Sequence, residues 1–129
     1  MIYGIGNDIV EISRIAKAAQ SRAFLAKCFT QSEIDRCNAG GVTSAENFAG
    51  YFAAKESVVK ALGTGFRGFA PRDIEICHDE LGKPFVRLAE SISMPINSNI
   101  FVSISHGKEY ATAMAVIEVR PCAEAPTEM

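Results

Sequence analysis

Alternating apolar and polar positions, the pattern of β-strands, occupy the N-terminus and most of the second half of the chain. Residues 2–10 form a run of β-branched residues and glycines that predicts a strand ending near Asp8. Residues 72–88 predict two strands joined by a tight turn with the sequence Asp-Glu-Leu-Gly, which is a hairpin signal. Residues 99–119 predict two more strands, with a break near His106. We therefore expect five strands, most of them in the second half.

Apolar residues recur at helical spacing through much of the first half. Residues 11–27 predict one helix, with Ile12 and Ile15 on its apolar side and its basic residues off that side. A short helix is expected next, because Thr30 can cap a helix and a glutamate, Glu33, follows three positions later. A pair of glycines ends this second helix.

A longer helix and a short helical segment complete the pattern. Thr43 or Ser44 can cap the longer helix, and Gly63 can end it. Residues 89–94 predict the short segment, which ends at Pro95. Apart from this short segment, the predicted helices cluster in the first half of the chain.

This order of elements favours an α+β fold, with the N-terminal strand and the helices packed on an antiparallel sheet, over a doubly wound βαβ sheet. A chain of 129 residues is most simply one domain. We place that domain at residues 1–120 and expect a polar C-terminal tail at 121–129.

Composition and charge narrow the function classes. The formal net charge is −2, whereas nucleic-acid binding usually needs a concentrated basic surface. No apolar run reaches the roughly 20 residues that cross a bilayer, and the N-terminus lacks the pattern of a signal peptide. We therefore expect a cytoplasmic protein that binds neither nucleic acid nor membrane.

The four cysteines are widely spaced and include no C-x-x-C pair, so a zinc or thioredoxin-type site is not expected. Cys77 and His78 are neighbours on a predicted strand and point to opposite faces, which disfavours a shared metal. The cysteines, which we expect to be reduced and structural, are Cys28, Cys37, Cys77 and Cys122.

The long predicted helix carries three charged residues in an apolar stretch. Glu56 and Lys60 lie one turn apart beside the apolar arc, where they could be an ordinary surface pair or could face a charged ligand. Lys55 falls inside the arc, so it either extends its stem to solvent or pairs with a partly buried carboxylate.

Asp8 is a second anomaly, because it interrupts an otherwise apolar strand. A buried carboxylate needs a partner, since its desolvation is costly. Asp8 and Glu56 together would make an oxygen-rich site suited to Mg²⁺. Alternatively, Asp8 accepts backbone hydrogen bonds in a turn.

Two motifs are misleading in this context. Residues 63–68 match G-x-G-x-x-G, but they follow a predicted helix, whereas the dinucleotide fingerprint follows a strand. Ser105 and His106 are adjacent on a predicted strand and diverge, and no G-x-S-x-G elbow is present. We expect neither a Rossmann site nor hydrolase chemistry.

Four ordered motifs carry a family resemblance: GIGNDIVEISRI, FAAKESVVKALGTG, DELGKP and VSISHGKEYATA. With them the chain resembles the holo-acyl-carrier-protein synthases, the small type of 4′-phosphopantetheinyl transferase, over about residues 1–119. The resemblance implies transfer of phosphopantetheine from coenzyme A to a serine of apo-acyl carrier protein, in fatty acid biosynthesis, with Mg²⁺ as cofactor. It also implies the phosphopantetheinyl transferase fold.

The resemblance also assigns site residues by position. Glu56 is our first candidate for the base that deprotonates the serine, directly or through water, and Lys60 and His106 complete the implied catalytic set. The implied metal ligands are Asp8 and Glu56, and the residues implied to bind the coenzyme are Lys60, Gly63, Thr64, Gly65 and His106. The residues implied to bind the acidic carrier protein are Arg14, Lys17 and Lys27.

The family is typically a homotrimer with active sites between subunits, so we expect the same of this chain. Two alternatives stay open: another Mg²⁺-dependent phosphate-ester enzyme, and a non-catalytic trimeric module that binds the carrier.

One position departs from the family pattern. Relatives usually carry an arginine for the 3′-phosphate of the coenzyme where this chain has Tyr51. Either Tyr51 faces that phosphate with a weaker grip, or it extends the apolar arc and Arg67, Arg72 or Lys83 covers the phosphate.

Overall fold

The computed structural model describes residues 1–121. It contains five strands and four α-helices, with two single turns of 3₁₀ helix between them. The strands are β1 (Ile2–Glu11), β2 (Ile74–His78), β3 (Pro84–Leu88), β4 (Ser98–His106) and β5 (Tyr110–Val119). The helices are α1 (Ile12–Ala18), α2 (Arg22–Cys28), α3 (Gln31–Cys37) and α4 (Ala45–Leu62). The predicted α+β class is confirmed.

The strands form two antiparallel sheets. The larger sheet has the order β1-β5-β4, and the smaller is the β2–β3 hairpin. In the larger sheet Asp8 is paired with Ala113, and Ser105 is paired with Thr112. This register brings the N-terminal strand and the last hairpin together, although they are a hundred residues apart in sequence.

Helix α4 packs across the larger sheet and forms the centre of the domain. Small residues on β5 alternate towards it, so that Ala111, Ala113 and Ala115 are buried. Ser57 ties the two together, since its hydroxyl donates to the Ala113 carbonyl at 3.0 Å. The short side chains let the helix lie close to the sheet.

Glycines bring β1 equally close to α4. A Cβ atom added at Gly4 would lie 1.9 Å from the Ala61 carbonyl oxygen, and one at Gly6 would lie 2.0 Å from that of Ser57. Only a residue without a side chain fits at such distances. The residues that follow Gly6 on β1 are therefore held against the C-terminal half of α4.

Local signals predicted several helix ends correctly. The Thr30 hydroxyl accepts from Glu33 N, and the Glu33 carboxylate accepts from Thr30 N, so the capping box of α3 is complete. Ser44, one of the two expected caps, accepts from Asn47 N at the start of α4. Gly63 ends α4 in the left-handed conformation, with φ of 79°.

Three predicted boundaries are wrong. The helix expected over 11–27 is two helices, because Ser21 caps a new one with its side chain. The segment 89–94 is not helical; Ile92 N donates to the Ala89 carbonyl in a single turn before Pro95. Strand β1 does not end near Asp8 but continues three residues further.

Among residues 1–121, no helix combines the length and the apolar character needed to cross a bilayer. The division into one domain and a tail stays a prediction. Residues 122–129, which include Cys122 and most of the expected tail, lie outside the described residues.

Candidate active site

Asp8 and Lys60 meet where β1 lies against α4. The Lys60 ammonium donates to Asp8 Oδ1 at 3.2 Å and to the Asn7 carbonyl at 2.8 Å. The Lys60 side chain is 53% exposed, and that of Asp8 is 17% exposed. Because Asp8 lies inside a paired strand, the alternative of a turn aspartate is wrong.

Glu56 lies one turn before Lys60 and is half-buried. Burial raises the pKa of its carboxyl above the usual 4.5, the nearby Asp8 raises it further, and Lys60 opposes both effects. No residue of 1–121 donates a hydrogen bond to this carboxylate. Asp8, Glu56 and Lys60 thus form one electrostatically coupled cluster.

A cleft of about 550 Å³ opens beside this cluster on the outer side of the larger sheet. Asp8 and Lys60 line it, together with the hydroxyls of Ser103, Ser105 and Thr112. Of these three, only Ser105 was named from the sequence, and not as part of this site. These hydroxyls come from β4 and β5, and only the pairing of β5 with β1 places them near Asp8. Sequence alone offered no signal for them beyond alternation along the strands.

The glycine loop after α4 is exposed. Gly63 and Gly65 have φ of 79° and 66°, which favours glycine at both positions. The Thr64 hydroxyl donates to the Gly65 carbonyl at 3.0 Å. The loop lies at the C-terminal end of the helix that carries Glu56 and Lys60, but its residues do not line the cleft.

His106 lies apart from this cluster. It ends β4 on the surface and lines a second cleft, of about 510 Å³, with Gly107, Lys108 and Tyr110. The two clefts share Ser105 and Thr112. Within one copy of the chain, His106 is therefore not brought against the Asp8 cluster.

The basic residues expected to bind a partner are all exposed. Arg14 and Lys17 lie on α1, whereas Lys27 lies on α2, so they occupy two short helices rather than one.

Lys55 pairs with a carboxylate, which is one of the two alternatives predicted from its place in the apolar arc. Its ammonium donates to Glu33 Oε1 at 2.8 Å, and neither side chain has exposed surface. It also donates to the carbonyls of Pro71 and Ile74. Glu33 was interpreted only as a capping residue and was missed as this partner.

Tyr51 is only 3% exposed, and its hydroxyl lies 2.9 Å from His78 Nε2. The other ring nitrogen, Nδ1, lies 3.1 Å from the Gly82 carbonyl, which can only accept, so Nε2 is the acceptor from Tyr51. Burial raises the pKa of Tyr51 to about 12. These contacts favour the interpretation that Tyr51 extends the apolar arc.

The chemistry of Asp8 and Glu56 fits Mg²⁺. Residues 1–121 contain no group of three or more His, Cys, Asp and Glu side chains that could hold a metal. Mg²⁺, however, is commonly bound through one or two carboxylates, with substrate phosphates and waters as the other ligands. A half-buried carboxylate without a hydrogen-bond donor beside a second carboxylate suits such an ion.

Comparisons with known proteins identify the family. The family model of the 4′-phosphopantetheinyl transferase superfamily matches residues 4–115. A holo-[acyl-carrier-protein] synthase of Fusobacterium nucleatum is 47% identical, over 91% of this chain and 99% of the relative. One of Clostridium botulinum is 51% identical, over 92% of this chain and 99% of the relative.

Solved structures match as well. The crystal structure of a holo-(acyl-carrier-protein) synthase from Bacillus anthracis, in complex with CoA (3′,5′-ADP), superposes with a TM-score of 0.77 at 38% identity. The match covers 93% of this chain and 99% of that one. The resemblance inferred from the four motifs is thus confirmed. The chain belongs to the holo-[acyl-carrier-protein] synthases of the 4′-phosphopantetheinyl transferase superfamily.

Proposed function

We propose that this protein transfers the 4′-phosphopantetheine group of coenzyme A to a serine of apo-acyl carrier protein. The serine oxygen forms a bond to the phosphorus of the arm, and the bond from that phosphorus to the leaving adenosine 3′,5′-bisphosphate breaks. The observation that carries the proposal is the coupled cluster of Asp8, Glu56 and Lys60 in a chain of this family.

The roles of this chain's residues follow from their positions. The exposed ammonium of Lys60 can donate to a phosphate oxygen and offset negative charge that grows on the leaving group. Glu56 is our candidate for the base that takes the serine proton, directly or through water, because it is the half-buried carboxylate of the cluster that lacks a hydrogen-bond donor. Gly63, Thr64 and Gly65 would let backbone approach the coenzyme at the end of α4.

We propose Asp8 and Glu56 as the ligands of Mg²⁺. When bound there, the ion would neutralise charge on the diphosphate. The support is the donor set itself, two neighbouring carboxylates of which one lacks a hydrogen-bond donor.

We propose a homotrimer in which His106 of one subunit completes the site of a neighbour. The outer face of the larger sheet carries large apolar side chains that are 46–68% exposed, and a patch of this kind marks an interaction surface. Its members are Tyr3, Ile5, Ile9, Phe101 and Met114. His106 lies on the same sheet, in a cleft separate from that of Asp8.

Subunit complementation tests this assembly. Asp8→Asn and His106→Ala should each be inactive alone, but mixed trimers would contain sites with an intact Asp8 from one subunit and an intact His106 from the next. We expect mixing to restore part of the activity. Light scattering should give a trimer; a fully active monomer, or no recovery in mixed trimers, would contradict the shared site.

The partner surface is proposed to be α1 and α2, whose exposed Arg14, Lys17 and Lys27 suit an acidic carrier. The placement in cytoplasmic fatty acid biosynthesis is also a proposal, and it rests on the family resemblance alone.

One experiment tests the activity. The protein is incubated with coenzyme A, Mg²⁺ and apo-acyl carrier protein, and the carrier is then weighed by mass spectrometry. We expect the carrier to gain the mass of one phosphopantetheine group. Breakdown of coenzyme A with an unmodified carrier would instead indicate a phosphate-ester hydrolase, and carrier binding without reaction would indicate a binding module.

A further inference from the structure

The Lys60 ammonium pairs with Asp8 within the protein and is also proposed to bind a phosphate of the coenzyme. Its ammonium already holds the Asp8 carboxylate at 3.2 Å and the Asn7 carbonyl at 2.8 Å. An ammonium has three donors, so two of them are engaged within the protein. The proposed function asks the same ammonium to donate to a phosphate of the coenzyme.

The same contact also bears on the metal. Asp8 Oδ1 is the oxygen that Lys60 holds, and Asp8 is one of only two carboxylates in the cluster. A divalent cation bound by Asp8 and Glu56 would share the Asp8 carboxylate with Lys60 and would bring positive charge to the same place. An ammonium and a divalent cation in contact with one carboxylate would repel each other at short range.

We infer that Lys60 is the internal counter-ion of Asp8 and that a divalent cation must displace the Lys60 ammonium, which then becomes available to a phosphate oxygen. The inference rests on the proposed function, which supplies the cation and the phosphate. Its consequence is coupling: the coenzyme holds Lys60 away from Asp8 and thereby strengthens binding of the cation, and by linkage the cation strengthens binding of the coenzyme.

The size of the effect follows from the exposure of the pair. Ion pairs with an exposed partner contribute little, so the competition should weaken cation binding by about twofold to fivefold. Competition of this size from the Lys60 ammonium still allows the cation to bind alone, but it favours binding of the cation together with the coenzyme.

The test uses Mn²⁺ as the probe, titrated into the free protein and followed by electron paramagnetic resonance. We expect Lys60→Met to bind Mn²⁺ about twofold to fivefold more tightly than the unaltered protein. Arg87→Met, which removes the exposed partner of an ion pair with Glu75, is the matched control and should leave Mn²⁺ affinity unchanged. Lys60→Gln is a second variant, and circular dichroism checks that both Lys60 variants are folded.

A second arm measures the coupling. Coenzyme A should strengthen Mn²⁺ binding in both proteins, but by a smaller factor in Lys60→Met, because no ammonium remains to be exchanged. Unchanged Mn²⁺ affinity in the Lys60 variants, equal tightening in Arg87→Met, or equal coupling to coenzyme A with and without Lys60 would each overturn the inference.

The two proposals fail separately. Mn²⁺ binding to the free protein requires no carrier and no turnover. If the carrier gains no mass while the Lys60 variants bind Mn²⁺ more tightly, the proposed function is wrong and the exchange stands; the reverse result rejects only the exchange.

Discussion

The Lys55 ammonium lies 2.8 Å from Glu33 Oε1, and both side chains are completely buried. The second oxygen of Glu33 accepts from Ile76 N at 2.8 Å, so one carboxylate joins α3, α4 and β2. Burial lowers the pKa of Lys55, and Glu33 opposes this effect. Every hydrogen-bonding position of the pair faces protein rather than water, so each partner depends on the other.

Removal of one partner should therefore be costly. We expect Lys55→Met to lower the free energy of unfolding by about 3–5 kcal/mol, because it leaves a carboxylate buried without its counter-ion. The double variant Glu33→Gln with Lys55→Met should recover part of the loss. Lys60→Met is the control, with an expected cost below about 1 kcal/mol because its ion pair is exposed. Urea unfolding measures all of these, and similar costs for both lysines would contradict the assignment.

The carboxylate cluster predicts where activity is most sensitive. Asp8→Asn and Glu56→Gln should each reduce transfer by about 100-fold or more. Each change removes a proposed ligand of the Mg²⁺ that would offset charge at the reacting diphosphate. Glu11→Gln, on the exposed side of the same strand as Asp8, is the control and should leave transfer near its original rate. The rates are read from modified carrier across a Mg²⁺ titration, and a near-normal rate for either variant would reject the site.

The ionised carboxylate of Glu56 should also lower the stability of the folded, metal-free protein. Its folded pKa is raised, so the folded state binds the proton more tightly than the unfolded state and loses stability as pH rises from about 4.5 through the folded pKa. Glu56→Gln cannot ionise, and at pH 7 without divalent cations we expect its Tm to be higher by about 1–3 °C.

The gain in Tm should vanish at pH values below 4.5, where Glu56 is protonated in both states. Thermal melts at both pH values, in the presence of a chelator, measure the difference. A lower Tm for Glu56→Gln at pH 7 would mean that Lys60 outweighs burial and Asp8.

Charge on α1 should affect the carrier more than the coenzyme. Arg14 is exposed on α1, and we expect Arg14→Glu to raise KM for the carrier on the order of tenfold, with little change for coenzyme A. Added salt should shrink the effect, because exposed charges are screened. Arg120→Glu, a charge reversal beyond the end of β5, is the control. Equal changes in both KM values would argue against a docking role.

We expect Tyr51 to support packing rather than substrate binding, because its side chain is buried. Tyr51→Phe removes the hydroxyl that bonds His78 and should cost about 0.5–1.5 kcal/mol of stability, with KM for coenzyme A unchanged. Tyr51→Arg places a cation in a buried position, and we expect it to be less stable and to change KM for coenzyme A and for 3′-dephospho-coenzyme A alike. A lower KM for coenzyme A alone would show that position 51 reaches the 3′-phosphate.

Elements with local signals were predictable from sequence. The capping box of Thr30 and Glu33, the Ser44 cap and the Gly63 terminus involve residues a few positions apart. The break before α2 was missed because helical spacing of apolar residues continues through it, while one side chain, that of Ser21, starts a new helix.

Contacts between residues far apart in the chain could not be predicted from the sequence. Lys55 and Glu33 are 22 positions apart, and the same glutamate also had a sufficient local role as a capping residue. The hydroxyls of Ser103 and Thr112 enter the cleft only through the register of three strands. Asp8 was conspicuous because it interrupts an apolar strand, whereas Glu56 lies beside the apolar arc and its proposed role came with the family resemblance.

The close contact of β1 with α4 limits which substitutions the gene can carry at two glycine positions. At Gly4 and Gly6, any side chain would collide with a helix backbone that cannot yield without moving Glu56 and Lys60. Even alanine, the mildest missense change, should be lost from a saturation-mutagenesis library selected for activity. Gly4 and Gly6 would then tolerate as little variation as Asp8, which follows them on the same strand, although neither glycine has to contact a substrate.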